Sequence, residues 1–316
     1  MSALLAAGAL VIGTALVIAG AELFAEHLEG AARGLGVSAF AVALLLAGSE
    51  PEELATAVAG SLRHVPAVSF GDVVGANIAA CLVVVSVGAF VAPLPLSRRV
   101  RNYALLALPL GAIGAIAAWD GHIERPMGAL LVVLYVAYVA VIWMLERGHA
   151  PASEPARDES GAAAPRRRDV ARDIALVFVG VAVLSGGSVL IVEAVASISA
   201  TESTQTDLSL TLVGLATTLE LVVLAWSLAR RGQTEGIVGA VVGSFAFNAT
   251  LSLGVAALAR PLRVVDDARL RVPLLIMLLA LVAVVALGAR RGRLGRANGV
   301  TLLAGYAAFV AYVVLR

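Results

Sequence analysis

Three glutamates, Glu50, Glu52 and Glu53, sit within "AGSEPEELATA", between the apolar runs "VSAFAVALLLAG" and "TAVAGSL". A carboxylate at bilayer mid-depth is expensive and rarely faces lipid, so acids kept there mark an ion path, a proton relay or a buried ion pair. No arginine lies at mid-depth in any apolar run, which leaves the pair without a partner. Glu220 is the one acidic residue between about 208 and 234, again near the middle of an apolar run. Glu50 and Glu53 are three apart and share a helix face, whereas Glu52 points elsewhere. Three carboxylates cannot all stay ionised together at low dielectric, so proton exchange at this cluster is chemically reasonable.

Hard cations such as Ca²⁺ are held by carboxylate, carbonyl and hydroxyl oxygens. Pro51 removes a helix hydrogen bond and clashes with the preceding turn. With Gly48 just before it, the helix should be discontinuous there, turning the carbonyls of about 47–48 toward a cavity. Ser49, Thr217 and Ser244 can supply hydroxyls to a cation, or can bond back to a carbonyl one turn earlier. Asp72, Ala76 and Ala80 form one row along a helix face, and Ala240, Ser244 and Asn248 form a second. Asn248 can offer an amide oxygen. Asp72 falls near a membrane surface and is either a site residue or a solvated one. Asn77 lies off the row and is expected to bond between helices. Glu22, Glu26 and Glu29 read as a solvated face near one end of the first run.

The elements that must position these groups are membrane helices. Of 316 residues, 60% are hydrophobic and 14% charged, with a mean hydropathy of +0.95; a soluble domain carries about a quarter charged residues. About 20 apolar residues cross a bilayer core as a helix. Ten such runs are expected at about 3–26, 36–61, 67–92, 103–119, 126–145, 173–198, 208–229, 235–258, 270–288 and 298–315. The first arginine is Arg33, so the first run lacks the basic start of a secretory signal and is expected to remain as a span. Unpaired backbone is too costly in lipid for anything but helices or closed barrels, and the runs do not alternate as barrel strands would.

The polar stretch "ERGHAPASEPARDESGAAAPRRRDVARD" reads as a solvated linker and gives three regions: 1–145, 146–172 and 173–316. With the linker in the cytoplasm, 16 of the 23 arginines fall on cytoplasmic connections, clustered at 98–101, 166–172, 230–231 and 290–296. The positive-inside rule then places both termini outside. Five spans per half means that the halves enter the membrane from opposite sides. A gapless shift of 168 residues brings "GSEPEELATAVAGSL" onto "ATTLELVVLAWSLAR" and "GDVVGANIAACLVVVSVGA" onto "GAVVGSFAFNATLSLGVAA", with Glu52 on Glu220 and Ser49 on Thr217. That is the signature of an inverted repeat, whose site lies at the repeat interface near mid-depth. Leu219 stands where the first half has Pro51, so a break in span seven is less strongly specified.

These residues resemble the cation/Ca²⁺ antiporter superfamily, in particular its sodium/calcium exchangers. "GSEPEEL" and "ATTLELV" are similar to the paired "GTSLPEL"-type repeats, and "GDVVGANIA" and "GAVVGSFAFN" to the "GNVIGSNIFN" segments that follow; the resemblance covers essentially the whole chain. It implies alternating access, with the first and sixth spans sliding across a rigid core. It implies Glu52 and Glu220 as central ligands and Ser49, Thr217 and Ser244 as hydroxyl ligands. Gly48 and Ala216 would offer carbonyls, and Asn248 would hold a polar site position. The chain departs from the pattern at Ala76 (usually serine), Ala80 (usually asparagine), Gly48 and Ala216 (threonines) and Leu219 (proline), and Glu50 and Glu53 are additional acids.

The reading is an all-α integral membrane protein of the cell membrane: ten spans, two inverted five-helix repeats and broken helices at mid-depth. It is a secondary-active antiporter exchanging Ca²⁺ for Na⁺ or H⁺, or another divalent cation for H⁺. It needs no cofactor, and its partners are inorganic cations and lipids. It is a monomer or weak homo-oligomer. The net charge of +1 argues against nucleic-acid binding. Cys81 is the single cysteine, and His27, His64, His122 and His149 share no helix-turn spacing, so neither a disulfide nor a histidine metal site is expected. A lipid-modifying membrane enzyme would need acids or histidines at a surface, or a Ser/His or paired-Asp constellation. The chain has no mid-span histidine and no second intramembrane aspartate to join Asp72.

Overall fold

Long apolar segments can satisfy their backbone within lipid only by coiling into helices, and the computed structural model of the chain is built from them. It describes residues 3–34, 50–147, 167–198, 201–232 and 234–316. The helices are α1 (Ala3–Gly34), α2 (Pro51–Leu62), α3 (Pro66–Val91), α4 (Arg98–Ala117), α5 (Arg125–Arg147) and α6 (Arg167–Ile198). They continue as α7 (Glu202–Arg230), α8 (Glu235–Ala246, running on through Phe247–Ser252 and Leu253–Ala259), α9 (Ala268–Ala289) and α10 (Arg296–Leu315). Nine of the described helices are long and apolar enough to cross a membrane. The tenth expected span is described only from Glu50 onward, as α2. The expected discontinuity at Gly48 and most of the linker lie outside the described residues.

Four two-residue strands clip the halves together. β1 (Leu94–Pro95) pairs antiparallel with β4 (Arg293–Leu294), and β2 (His122–Ile123) pairs antiparallel with β3 (Leu262–Arg263). Each clip joins one half to the other. The first puts the α3–α4 and α9–α10 connections on one side of the molecule. The second puts the α4–α5 and α8–α9 connections together, as ten alternating crossings require.

The repeat shift is present in three dimensions. Asn77 Nδ2 donates to Phe245 O at 3.3 Å, and the two residues are 168 apart. Residue 77 thus touches its own counterpart, which happens only beside a pseudo-twofold axis. The same shift carries α2, Pro51–Leu62, onto Leu219–Arg230. It carries Val85–Val91 onto Leu253–Ala259 and β1 onto β3. Wide π turns interrupt α3 at Ala80–Val84 and α8 at Phe247–Ser252, again nearly in register. Such turns cluster at functional sites because they re-aim side chains.

α3 and α8 are the central pair. The apolar windows of α3 and α8 are 83% and 78% buried, against 28–39% for the other spans. Close backbone approach makes this possible. A Cβ on Gly75 would lie 2.3 Å from Leu210 O, one on Gly71 2.5 Å from Ser209 Cβ, and one on Gly214 2.5 Å from Ala76 N. α3 and α7 therefore pack backbone against backbone, which brings Asp72 to Thr217. α1 and α6 cross in the same way, antiparallel, through Gly13 against Gly187 and Gly20 against Gly180. The main apolar core includes no side chain of α1 or α6 among the described residues. These two helices meet the rest through a smaller cluster, in which Val17, Ile191, Val192 and Val195 pack on Ala59, Val68 and Val213.

The glycine contacts give a first test. Gly75→Ala should destabilise the chain by about 1–3 kcal/mol, as overpacking does. Gly8→Ala, whose Cβ would meet nothing within 4 Å, should leave it unchanged. Thermal unfolding of the purified variants in detergent measures both, and equal melting temperatures would refute the α3–α7 packing.

Candidate functional site

Two helix starts face each other across the repeat axis. α2 begins at Pro51 with Glu52 and Glu53 in its first turn. The second piece of α7 begins at Leu219 with Glu220 in its first turn. The break in α7 occurs without proline. It is confined to Thr218, where ψ is −6° and the hydroxyl donates to Gly214 O at 2.6 Å. A helix N-terminus carries partial positive charge and unpaired N–H groups, so each acid sits where the backbone best tolerates a carboxylate.

Burial here is nearly complete. Glu50 and Glu52 are 3% exposed, and Glu53 and Asp72 are 0% exposed. Asp72 is thus enclosed, not solvated, because α7 covers it through the glycine contacts. Glu220 is half-buried. Glu220, Glu50 and Asp72 are the carboxylate neighbours of Glu52. Glu22 of α1 is exposed.

The buried oxygens are under-satisfied. Glu50 Oε1, Glu52 Oε2, both oxygens of Glu53, Asp72 Oδ2, Glu220 Oε2 and Ser244 Oγ have no hydrogen-bond partner. Buried polar groups in native structures are nearly always paired, and each exception needs a reason. Seven in one neighbourhood describe an oxygen-rich locus with spare coordination capacity. No three His, Cys, Asp or Glu side chains among the described residues converge into one shell. The acids are therefore spread along the locus, and hydroxyls, amides or carbonyls must complete any cation's coordination.

Each residue singled out by sequence that lies among the described residues has a definite place. Thr217 Oγ1 donates to Asp72 Oδ1 at 3.0 Å and also lies 3.2 Å from Val213 O, so the cross-repeat bond and the back-bond coexist. Ala216 is in the turn just before the break. Ser244 and Asn248 are buried on α8. The Asn248 amide nitrogen donates to Glu50 Oε2 at 2.7 Å, and its oxygen accepts from Ser252 at 3.2 Å. The expected amide oxygen is thus partly engaged, and Asn248 braces Glu50. Asn77 bonds between helices as expected, to Phe245 O. Gly48 and Ser49 lie outside the described residues.

Sequence reasoning gave no ligand role to Thr218, Ser252 or Glu53. The first two are ordinary hydroxyls in apolar runs, and only the break and the π turn bring them to the locus. Glu53 was visible as an additional acid, yet nothing in its spacing showed that neither of its oxygens would find a partner.

A protein-family model described as "Sodium/calcium exchanger protein" matches residues 5–144 and 173–315. The inner membrane protein YrbG of Escherichia coli (strain K12) is 25% identical over 98% of this chain and 96% of its own length. The putative antiporter CaxA of Alkalimonas amylolytica is 26% identical over 81% of each chain. The solved sodium-calcium exchanger NCX_Mj has the same fold, with a TM-score of 0.65 at 22% identity over 98% of this chain and 99% of that one. The family model spans both repeats; the chain therefore belongs to the sodium/calcium exchanger protein family, whose members are membrane transporters and not enzymes.

Proposed function

We propose that the chain is a secondary-active antiporter that exchanges Ca²⁺ for Na⁺ or H⁺ by alternating access, without a cofactor. The observation that carries this reading is the pairing of Glu52 and Glu220. They are counterparts under the repeat, each in the first turn of a helix, each with an oxygen left unpaired. Asp72, Thr217 and Ser244 complete the central site, Asn248 braces it through Glu50, and carbonyls of Gly48 and Ala216 and the Ser49 hydroxyl close the coordination. The driving ion acts by binding the two facing states with different affinity.

The moving part is the α1–α6 pair. Its glycine-lined crossing makes it one body, and among the described residues its contact with the core includes a small apolar cluster and two polar links. Thr56 Oγ1 donates to Ser188 Oγ at 3.2 Å, and Arg63 pairs with Glu193 at 2.6 Å. Both side chains of the ion pair are half exposed, so the pair holds the two bodies by no more than about 1 kcal/mol. Residues 1–145 and 173–316 are the two repeat units. The region 146–172 is a cytoplasmic linker, and both termini are outside, in keeping with the arginine distribution.

Two losses of side-chain oxygen in the first half, at Ala76 and Ala80, and the surplus of carboxylates leave Na⁺ and H⁺ both open as the coupling ion. Uptake of radiolabelled Ca²⁺ into proteoliposomes under separately imposed Na⁺ and pH gradients decides between them. Glu52→Gln and Glu220→Gln should each abolish that flux, and undiminished flux in both would refute the central site.

Asp72 gives a graded test. Thr217→Val leaves Asp72 Oδ1 unpaired, at a cost of about 1–3 kcal/mol. Apparent Ca²⁺ affinity should fall about tenfold, which is about 1.4 kcal/mol. Thr217→Ser, which keeps the hydroxyl, should restore it. A Val variant as tight as the parent would remove Asp72 and Thr217 from the site.

A further inference from the structure

We infer that the chain carries two ion-pair latches related by the repeat, Arg63–Glu193 and Arg231–Glu26, which are made in turn and hold the α1–α6 pair at one end or the other. The inference rests on the proposed transport function and deepens it. It names residues that position the moving pair without touching the transported ion.

The crossing of α1 and α6 has its own shift. Gly13 meets Gly187, and Gly20 meets Gly180. Gly13 and Gly180 are 167 apart, as are Gly20 and Gly187, so each contact is the twofold image of the other. The same shift carries Glu26 onto Glu193. The shift of 168 that relates α2 to the end of α7 carries Arg63 onto Arg231. An arginine just past a broken helix and a glutamate on the crossing pair therefore occur twice, at opposite ends of the molecule.

The two pairs are not in the same condition. Arg63 Nη1 donates to Glu193 Oε1 at 2.6 Å. Arg231 and Glu26 are both exposed, and among the described residues no ion pair joins them. Burial follows the same division. α6 covers α2: Thr56 is 0% exposed, and Ala59 packs with Ile191, Val192 and Val195. Their counterparts on α7 are Leu224, which is 43% exposed, and Ser227, which is half-buried. Beyond Thr218, α7 buries only Ala225 and Ala229.

A strict twofold would bury both helices alike. The difference lies in the place of the α1–α6 pair, seated against α2 and drawn away from the end of α7. That end is on the side where α5 finishes and α6 begins, so the locus is closed beside α2 and more open beside the half-buried Glu220. In the twofold-related position Arg63 and Glu193 separate, α2 is uncovered, and Glu26 reaches Arg231. Inverted repeats generate the second position from the first in this way. Both latches are exposed, so each biases the balance by about fivefold at most.

Ser227→Cys in a Cys81→Ala background, reconstituted in proteoliposomes, reports the position of the pair. The rate read is labelling by a membrane-impermeant maleimide supplied on the linker side. Arg63→Glu, which opposes Glu193, should slow labelling about two- to fivefold, because the pair moves over Ser227. Adding Glu193→Arg remakes the first latch and should return the parental rate. Adding Glu26→Arg instead opposes Arg231, removes the second latch and should also return it. A stability defect at Arg63 would be relieved by neither distant change. An unslowed rate in Arg63→Glu, or a slow rate that either second change leaves slow, overturns the inference. If melting temperatures show that Arg63→Glu does not fold, Glu193→Gln takes its place, with Glu26→Arg as the second change and the same two outcomes. Labelling needs no ion flux, so it succeeds or fails separately from the Ca²⁺ uptake that tests the proposed function.

Discussion

Burying carboxylates at membrane depth with no cationic side chain paired to them among the described residues is the constraint around which this chain is built. Glu50, Glu52, Glu53 and Asp72 are enclosed, and the described ion pairs of the chain lie elsewhere, at the ends of the spans. Removing a charge from water costs several kcal/mol after relaxation. A folded chain tolerates that cost only if helix N-termini, hydroxyls and a bound ion or proton offset it. The helix starts at Pro51 and Leu219 and the donors Thr217 and Asn248 supply part of the compensation. The unpaired oxygens mark the part that these groups leave uncompensated.

Holding such a locus requires close backbone packing around it. In lipid, apolar side chains gain little by leaving their surroundings, so small residues that admit close approach become the main packing device. The glycines of α3, α7 and α8 follow that rule and bring both repeats to within backbone contact. The two strand clips, each joining one half to the other, fix the ends of the same assembly. Against this frame, α1 and α6 form a separate pair with a small apolar footing. The buried acids and their donors on α2, α3, α7 and α8 belong to the frame and not to that pair.

The twofold organises the site without making it symmetric. Glu52 and Glu220 are counterparts, as are the π turns near Ala80 and Asn248. Within that frame the first repeat has added acids, and the second has kept hydroxyls and amides. The cross-repeat bonds run between unlike partners, Thr217 to Asp72 and Asn248 to Glu50. Charge from one half is therefore oriented by neutral donors from the other.

Much of this was legible in the residues alone. Hydropathy located the spans, because twenty apolar residues have few other fates, and most observed ends fall within a few residues of the expected ones. The repeat shift, the pairing of Glu52 with Glu220 and the crossing role of Asn77 all followed from one-dimensional pattern. Three features did not. The break at Thr218 has no proline to announce it and arises where a hydroxyl takes up a carbonyl inside a crowded core. Asp72 looked peripheral by depth, yet α7 covers it, because burial depends on what packs alongside and not on position along the span. The pairing of the Asn248 amide with Glu50 was decided only by folding: which oxygen meets a donor and which is left over depends on side chains from opposite halves, 198 residues apart in sequence, arriving at one place.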